Sequence, residues 1–304
     1  TTTTTTTTPQ HFDKAHPLHR TLDDYEVLEE LGSGTFGRCE RARDARTNEV
    51  VVLKHVPFST ASDVLSITNE ARVLRSLNHP NIVRYVQMFV HEKSIVLVME
   101  FCRGGDLCQW KAAQVPSAWP LSRSHAQRWT QQLCAALAHM HDSNVLHRDL
   151  KPSNVFVDEV FDNDGTHHVL KLGDVGLATV LRSAQAAAST RAGTIAYWSP
   201  EVIEGGTATR AADVYGAGAV LFELFMPKHS ATQLLLPERR VALLDELRAA
   251  YGDEVYLAVR AMTRRDAATR ASCADVLGCF DSANFRPLLG ADAAATAAGG
   301  AVGG

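Results

Sequence analysis

The sequence predicts an α+β chain of two lobes, a small antiparallel β-rich lobe with one main helix and a larger, mostly helical lobe after it. Three observations predict this. Short alternating apolar runs separated by turn residues fill the first third of the chain. After Gly104-Gly105 the apolar spacing changes to that of helices. Between the helices lies a loop-like stretch, 145–154, dense in chemically useful side chains, placed where a cleft between the two parts would form.

Taken in order, 25–31, 39–43 and 50–55 alternate as strands with turns between them. Residues 61–77 read as a helix, with Ile67, Ala71, Leu74 and Leu77 on one apolar stripe. Two further strands follow at 82–90 and 94–101, then a long helix over 124–141 and a very apolar, buried helix over 212–225. Residues 1–22, a Thr tract and then polar sequence, are expected to be a disordered arm, because they hold too little apolar surface to offset ordering entropy. His11, His16 and His19 in that arm lack a Cys or carboxylate frame and read as solvated rather than metal-binding. The folded domain is expected over 23–281, with a small lobe 23–101 and a large lobe 102–281. An Ala/Gly-rich disordered tail is expected over 282–304.

Composition sets limits on function. The chain has 304 residues, 45% hydrophobic and 21% charged, enough for a sizeable core. A net charge of −4 gives no reason to expect nucleic acid or an anionic membrane as partner. Six cysteines without C-x-x-C spacing suggest reduced thiols in the cytoplasm, not a zinc site or disulfide framework. No apolar run approaches membrane-span length. The start at Thr1 rather than Met suits a piece of a longer protein, and nothing in the sequence gives an oligomeric state.

The chemistry is concentrated in His147-Arg148-Asp149-Leu150-Lys151-Pro152-Ser153-Asn154. A carboxylate can take a hydroxyl proton, an ammonium can neutralise a moving phosphate, and an amide oxygen can ligate Mg²⁺. Gly32-Ser33-Gly34-Thr35-Phe36-Gly37 sits between two strands, where glycines let backbone amides approach phosphate oxygens. Lys54 ends an apolar strand, and Glu70 on the next helix is within reach of it. Such a pair has a Coulomb term of about 4 kcal/mol at an effective dielectric near 20. Asp174, in Lys171-Leu172-Gly173-Asp174-Val175-Gly176, is a second hard-oxygen donor beside Asn154. Asp162-Asn163-Asp164-Gly165 lacks the terminal Glu and flanking helices of a calcium loop and reads as a hairpin turn.

With these motifs in order, 25–280 resembles a eukaryotic protein kinase, most nearly the NIMA-related (NEK) subfamily of serine/threonine kinases. Asn78–Tyr85, Val98–Leu107 and Lys171–Asp174 carry the subfamily likeness. The resemblance implies the two-lobed kinase fold, with ATP and Mg²⁺ as cofactors and a protein Ser or Thr hydroxyl as acceptor. It implies Asp149 as base, Lys151 on the transferred phosphate, Lys54 on the α/β-phosphates held by Glu70, and Asn154 and Asp174 on Mg²⁺. ATP would lie against Leu31, Gly32, Ser33, Gly34, Gly37, Cys39, Val52 and Phe156. Backbone groups of Glu100 and Cys102 would receive adenine, with Met99 as gatekeeper and Asp106 near the ribose. Glu201 would pair with Arg270, and Asp213 would brace the catalytic loop. Lys151 and Thr194 suit serine/threonine rather than tyrosine acceptors.

The sequence departs from the family at three places. Val175 stands where Phe is usual, in a stack with Leu74 and His147; Val52 replaces Ala, and Cys39 replaces Val. Losing the aromatic side chain would remove on the order of 1–3 kcal/mol of packing from the active state. In the segment 179–191, Thr190 matches the position phosphorylated in NEK-like kinases, with Ser189 as its neighbour and Arg148 as the partner for a phosphate; a plain polar loop is the other reading. Two functions follow from this sequence: an active kinase, or a pseudokinase that keeps the fold as a binding scaffold. The segment 193–201 disfavours a small-molecule phosphotransferase.

Overall fold

The computed structural model describes residues 20–34, 37–114, 121–162, 165–175 and 195–289. Strands β1 (Tyr25–Gly34), β2 (Gly37–Asp44), β3 (Val50–Pro57), β4 (Tyr85–His91) and β5 (Ser94–Glu100) form one antiparallel sheet in the order β1-β2-β3-β5-β4. Their alternation packs Ala42, Val51, Leu53, Val96 and Val98 with Tyr25 and Phe89 on one face. On the other face Val56, Ile95 and Leu97 meet Ile67 and Ala71 of helix α1 (Ala61–Ser76). Thr60 caps that helix: its side chain accepts from the Asp63 N–H, and the Asp63 carboxylate accepts from the Thr60 N–H. Leu77, expected as the last helical residue, is the C-cap.

The large lobe contains α2 (Leu107–Ala113), α3 (Arg123–Asp142), α4 (Pro200–Ile203), α5 (Arg210–Phe225), α6 (Pro237–Tyr251), α7 (Asp253–Met262) and α8 (Cys273–Ser282). Helix α5 is its core. Phe222 and Phe225 are almost fully shielded, and burying each contributes about 1.5–3 kcal/mol. Two glycines let α5 approach its neighbours. A Cβ at Gly216 would lie 3.0 Å from the Cβ of Leu150, and one at Gly218 2.7 Å from the Thr263 methyl. The first contact seats the loop that contains Asp149 directly on α5.

Strands β6 (Val155–Asp162) and β7 (Gly165–Leu172) form a two-stranded hairpin, with Asp162 paired to Gly165 across the turn expected there. This hairpin hydrogen-bonds to the segment before β4 in the small lobe and to the linker after β5. Before β4, the Val83 N–H donates to Leu172 O at 2.9 Å and the Leu172 N–H to Asn81 O at 2.8 Å. After β5, the Gly104 N–H donates to Val157 O and the Val157 N–H to Gly105 O, each at 2.9 Å.

The folded part extends beyond both expected boundaries. Arg20 forks onto Asp44 at 3.1 and 3.0 Å, which fixes residues within the expected arm of 1–22. At the other end Leu288 is 1% exposed and Phe285 meets Phe280 edge-on at 4.9 Å, within the expected tail of 282–304. His11, His16 and His19 lie outside the described residues. Among the described residues no helix is long and apolar enough to cross a membrane.

Candidate active site

A cavity of about 370 Å³ opens between the lobes. Its roof is Leu31, Gly32, Ser33 and Gly37 from the β1–β2 turn with Cys39, Val52 and Lys54; Met99, Glu100 and Cys102 form the back; Asp106, Phe156 and Asp174 complete the floor. Gly34 ends β1 opposite Gly37. Val83, Phe101, Gly105, Gln109 and Gly173 also line it and were not read from the sequence. Gly37 has φ +114°, and a Cβ there would fall 1.7 Å from the His55 carbonyl oxygen, so only glycine lets β2 lie this close to β3. At the back, the Glu100 carboxylate accepts from Lys171 Nζ at 2.9 Å and from the Arg84 N–H at 3.0 Å, which fixes the linker between lobes. Burial pushes the Cys102 thiol up to about 12, so it faces the cavity as a neutral thiol.

Asp106 also serves α2: its side chain accepts from the Gln109 N–H at 2.9 Å, and the Gln109 side chain accepts from the Asp106 N–H at 3.2 Å. This reciprocal cap brings Gln109 to the cavity wall. The signal was present in the sequence as an Asp followed three residues later by a Gln.

The catalytic-loop candidates converge below the cavity. Asp213, 3% exposed, accepts the N–H of Arg148 on Oδ1 at 2.8 Å and the N–H of His147 on Oδ2 at 2.9 Å; Oδ2 also lies 3.1 Å from His141 Nε2. These bonds hold Arg148 at φ +67°, a conformation costing about 1–3 kcal/mol for a residue with a side chain. Asp149 follows. Its Oδ2 accepts from Lys151 Nζ at 2.9 Å and from Asn154 Nδ2 at 3.2 Å, and its carbonyl from Asn154 Nδ2 at 2.7 Å. With Nδ2 so engaged, Asn154 keeps Oδ1 as a donor for a cation.

His147 is fully buried, and burial lowers its proton affinity. Its Nδ1 accepts from the Asp149 N–H at 3.3 Å, so Nε2 carries the proton and donates to the Gly173 carbonyl at 3.0 Å. A neutral imidazole thus links the loop of Asp149 to the turn of Asp174.

Lys54 is paired with Asp174 and not with Glu70, the partner expected for it. Its Nζ donates to Asp174 Oδ1 at 2.6 Å, and this ion pair takes the place expected for Glu70. Spacing along the chain gives reach but not helix placement. Here α1 directs Glu70 to a separate cavity of about 240 Å³, shared with Val73, Val145, Leu146, Arg148 and Val175. Burial opposes the charge on Asp174, yet the Lys54 ammonium, with Lys151 beyond it, holds the carboxyl below the usual range. Val175 packs in the same core as Leu74 and borders that second cavity.

Farther away, the Arg270 guanidinium forks onto Glu201 at 2.7 and 3.0 Å, as expected, and stacks over Tyr215 with 5.2 Å between Cζ and the ring centre. Thr190, Ser189, Thr179 and Thr194 lie outside the described residues.

Residues 25–277 match the protein kinase domain family. The chain belongs to that family. It is 35% identical to serine/threonine-protein kinase Nek1 of Mus musculus over 211 residues, which cover 69% of this chain and 17% of that protein. It is 32% identical to Nek3 of Mus musculus over 261 residues, 84% of this chain and 49% of that protein. The figures for serine/threonine-protein kinase ATG1b of Arabidopsis thaliana are 35% over 209 residues, 67% and 28%. This kinase domain therefore spans between about a sixth and half of these relatives' length, and the relatives are of the serine/threonine kind.

Proposed function

We propose that this domain transfers the γ-phosphoryl group of ATP to Ser or Thr hydroxyls of a protein. The observation that carries the reading is the Asp149–Lys151–Asn154 cluster lying below a cavity that has Asp174 on its floor and a glycine turn and Lys54 in its roof. Asp149 orients the acceptor hydroxyl and takes its proton. Lys151 neutralises the transferred phosphoryl oxygens, and Lys54 meets the phosphates nearer the ribose. Asn154 Oδ1 and the Asp174 carboxylate are hard oxygen donors that fit Mg²⁺, which when bound offsets the negative charge of the phosphates. Adenine meets the backbone at Glu100 and Cys102, between Val52 and Phe156, with Met99 behind it and Asp106 at the ribose. Phosphate on Thr190 or Ser189 is the activating modification, with Arg148 as its partner. All six cysteines are free thiols, in keeping with a cytoplasmic protein.

The second reading is a nucleotide-binding scaffold. It is favoured by the Lys54–Asp174 ion pair, which occupies a cation ligand, and by Val175 in place of an aromatic residue. Phosphate transfer to a generic basic protein with Mg·ATP, compared with Asp174→Ala, separates the two. Transfer lost in the variant supports the kinase. A thermal shift with Mg·ATP and no transfer in either form supports the scaffold.

A further inference from the structure

Glu40 of β2 and His55 of β3 form a buried polar pair behind the roof of the cavity. Their side chains are 8% and 9% exposed, and His55 Nε2 stands 2.8 Å from Glu40 Oε2. The other carboxylate oxygen, Oε1, lies 3.1 Å from Nη2 of Arg38, whose side chain is half exposed. Side chains alternate along a strand. Cys39 and Lys54, the sequence neighbours of this group, stand opposite each other in register and line the cavity. Arg38, Glu40 and His55 therefore lie on the reverse face of the strand segments that present Cys39 and Lys54.

Farther along, Ala42, Val51 and Leu53 fill the same face with apolar contacts. Stability alone does not select an acid–imidazole pair here, because taking such groups out of water has a cost that apolar side chains of similar volume avoid. What the pair adds is direction, since a hydrogen bond fixes geometry and hydrophobic burial does not. In register Glu40 faces Leu53 and His55 faces Arg38, so the Glu40–His55 contact runs diagonally between neighbouring rungs and resists sliding of β2 along β3. Arg38 is also paired across to Ser33 of β1, so this rung spans three strands beside the glycine turn. Gly37, the residue before Arg38, has no side chain to anchor it, and its neighbour on β3 is the His55 carbonyl. His55 thus meets the turn with its backbone and holds β2 with its ring.

We infer that Glu40 and His55 are positioning residues for the phosphate end of the nucleotide, holding the glycine turn and the Lys54 segment of β3 at a fixed offset. Neither side chain touches the ligand; both act through Gly37, Arg38 and Lys54. The inference rests on the reading of the cavity as a nucleotide site. It separates the two ends of that cavity. The base and ribose meet Met99, Glu100, Cys102 and Asp106, which belong to β5 and the linker after it, whereas only the phosphates meet the turn and Lys54. A pair that merely filled the sheet would not distinguish a ligand with phosphates from one without them.

The test is calorimetric titration of the whole chain with Mg·ATP and, separately, with adenosine, which has the base and ribose but no phosphate. The variants are His55→Leu, which fills the space without a donor, His55→Gln, whose amide N–H takes the place of Nε2, and Glu40→Leu. Thermal melting checks that each folds, and two independent removals are made so that one can stand if the other is unstable. The expected result is Mg·ATP binding at least fivefold weaker in the Leu variants, adenosine binding within twofold of the parent, and Mg·ATP binding by His55→Gln within twofold of the parent. Equal losses for both ligands, unchanged Mg·ATP binding, or a Gln variant as weak as His55→Leu overturns the proposal and leaves the nucleotide reading standing. Failure of both Leu variants to fold also overturns it, because the pair is then a requirement of the sheet itself. A parent chain that binds neither ligand removes the nucleotide reading and the proposal with it.

Discussion

Replacing Asp213 by Asn keeps the side chain's size and removes one acceptor from the base of the catalytic loop. Oδ2 serves the His147 N–H and His141, and Oδ1 serves the Arg148 N–H alone. An Asn whose oxygen replaces Oδ2 therefore leaves the Arg148 amide facing an NH₂ group. A buried donor left without an acceptor costs about 1–3 kcal/mol. At about 2–4 °C per kcal/mol for a domain of this size, the melting temperature falls by about 2–12 °C. Asp213→Ala strips both amides, and the cost rises to about 2–6 kcal/mol. Activity falls too, because these bonds hold Arg148 at φ +67° and thereby aim Asp149. A misplacement of about 1 Å costs on the order of 10²-fold in rate. Thermal melting and phosphate transfer read the two effects separately. An Asp213→Ala protein that melts within about 2 °C of the parent and keeps its activity would refute the reasoning.

Asp149→Asn should slow turnover by about 10²–10⁴ while Mg·ATP binding, read by thermal shift, stays intact; full activity would remove Asp149 as the base. Burial works against the Glu201 carboxylate, but the Arg270 fork holds it below its ordinary range. Its stabilising contribution is therefore present above the unfolded value near 4.3 and is lost as pH falls through the lower folded value. Denaturant melts between neutral and acidic pH should show this loss, and Glu201→Gln should flatten the profile there. Val175→Phe places a ring beside the cavity shared with Glu70 and should raise kcat/KM about tenfold. Unchanged activity, or destabilisation beyond about 3 kcal/mol from overpacking, would show that the smaller residue is not limiting.

The catalytic loop was legible because its chemistry is local: Asp149, Lys151 and Asn154 lie within six residues and meet in space through one short turn. The strands were legible for a similar reason, since alternation along Val50–Pro57 maps directly onto the two faces of the sheet. What depends on placement between elements was not. Glu70 was assigned to Lys54 from reach along the chain and from the family resemblance, whereas the partner of Lys54 is fixed by how α1 sits on the sheet and where the turn of Asp174 falls. Val83 and Gly173 line the cavity through crossings from separate segments, which no local pattern announces. Arg20 and Leu288 were assigned to disordered ends by composition, and a single ion-paired fork and one buried side chain overrode that composition.

The hairpin β6–β7 bonds to the chain just before β4, within the small lobe, and just after β5, where the small lobe joins the large one. Those four backbone bonds make it an axle. Any rocking of the small lobe turns about this line, and Asn154 and Asp174 flank the two strands that form it, so they move least. The β1–β2 turn, at the far edge of the sheet order, sweeps the longest arc. Opening of the cavity therefore lifts the glycine turn while Asp149, Asn154 and Asp174 stay in register. The domain can breathe without re-forming its chemistry at each cycle.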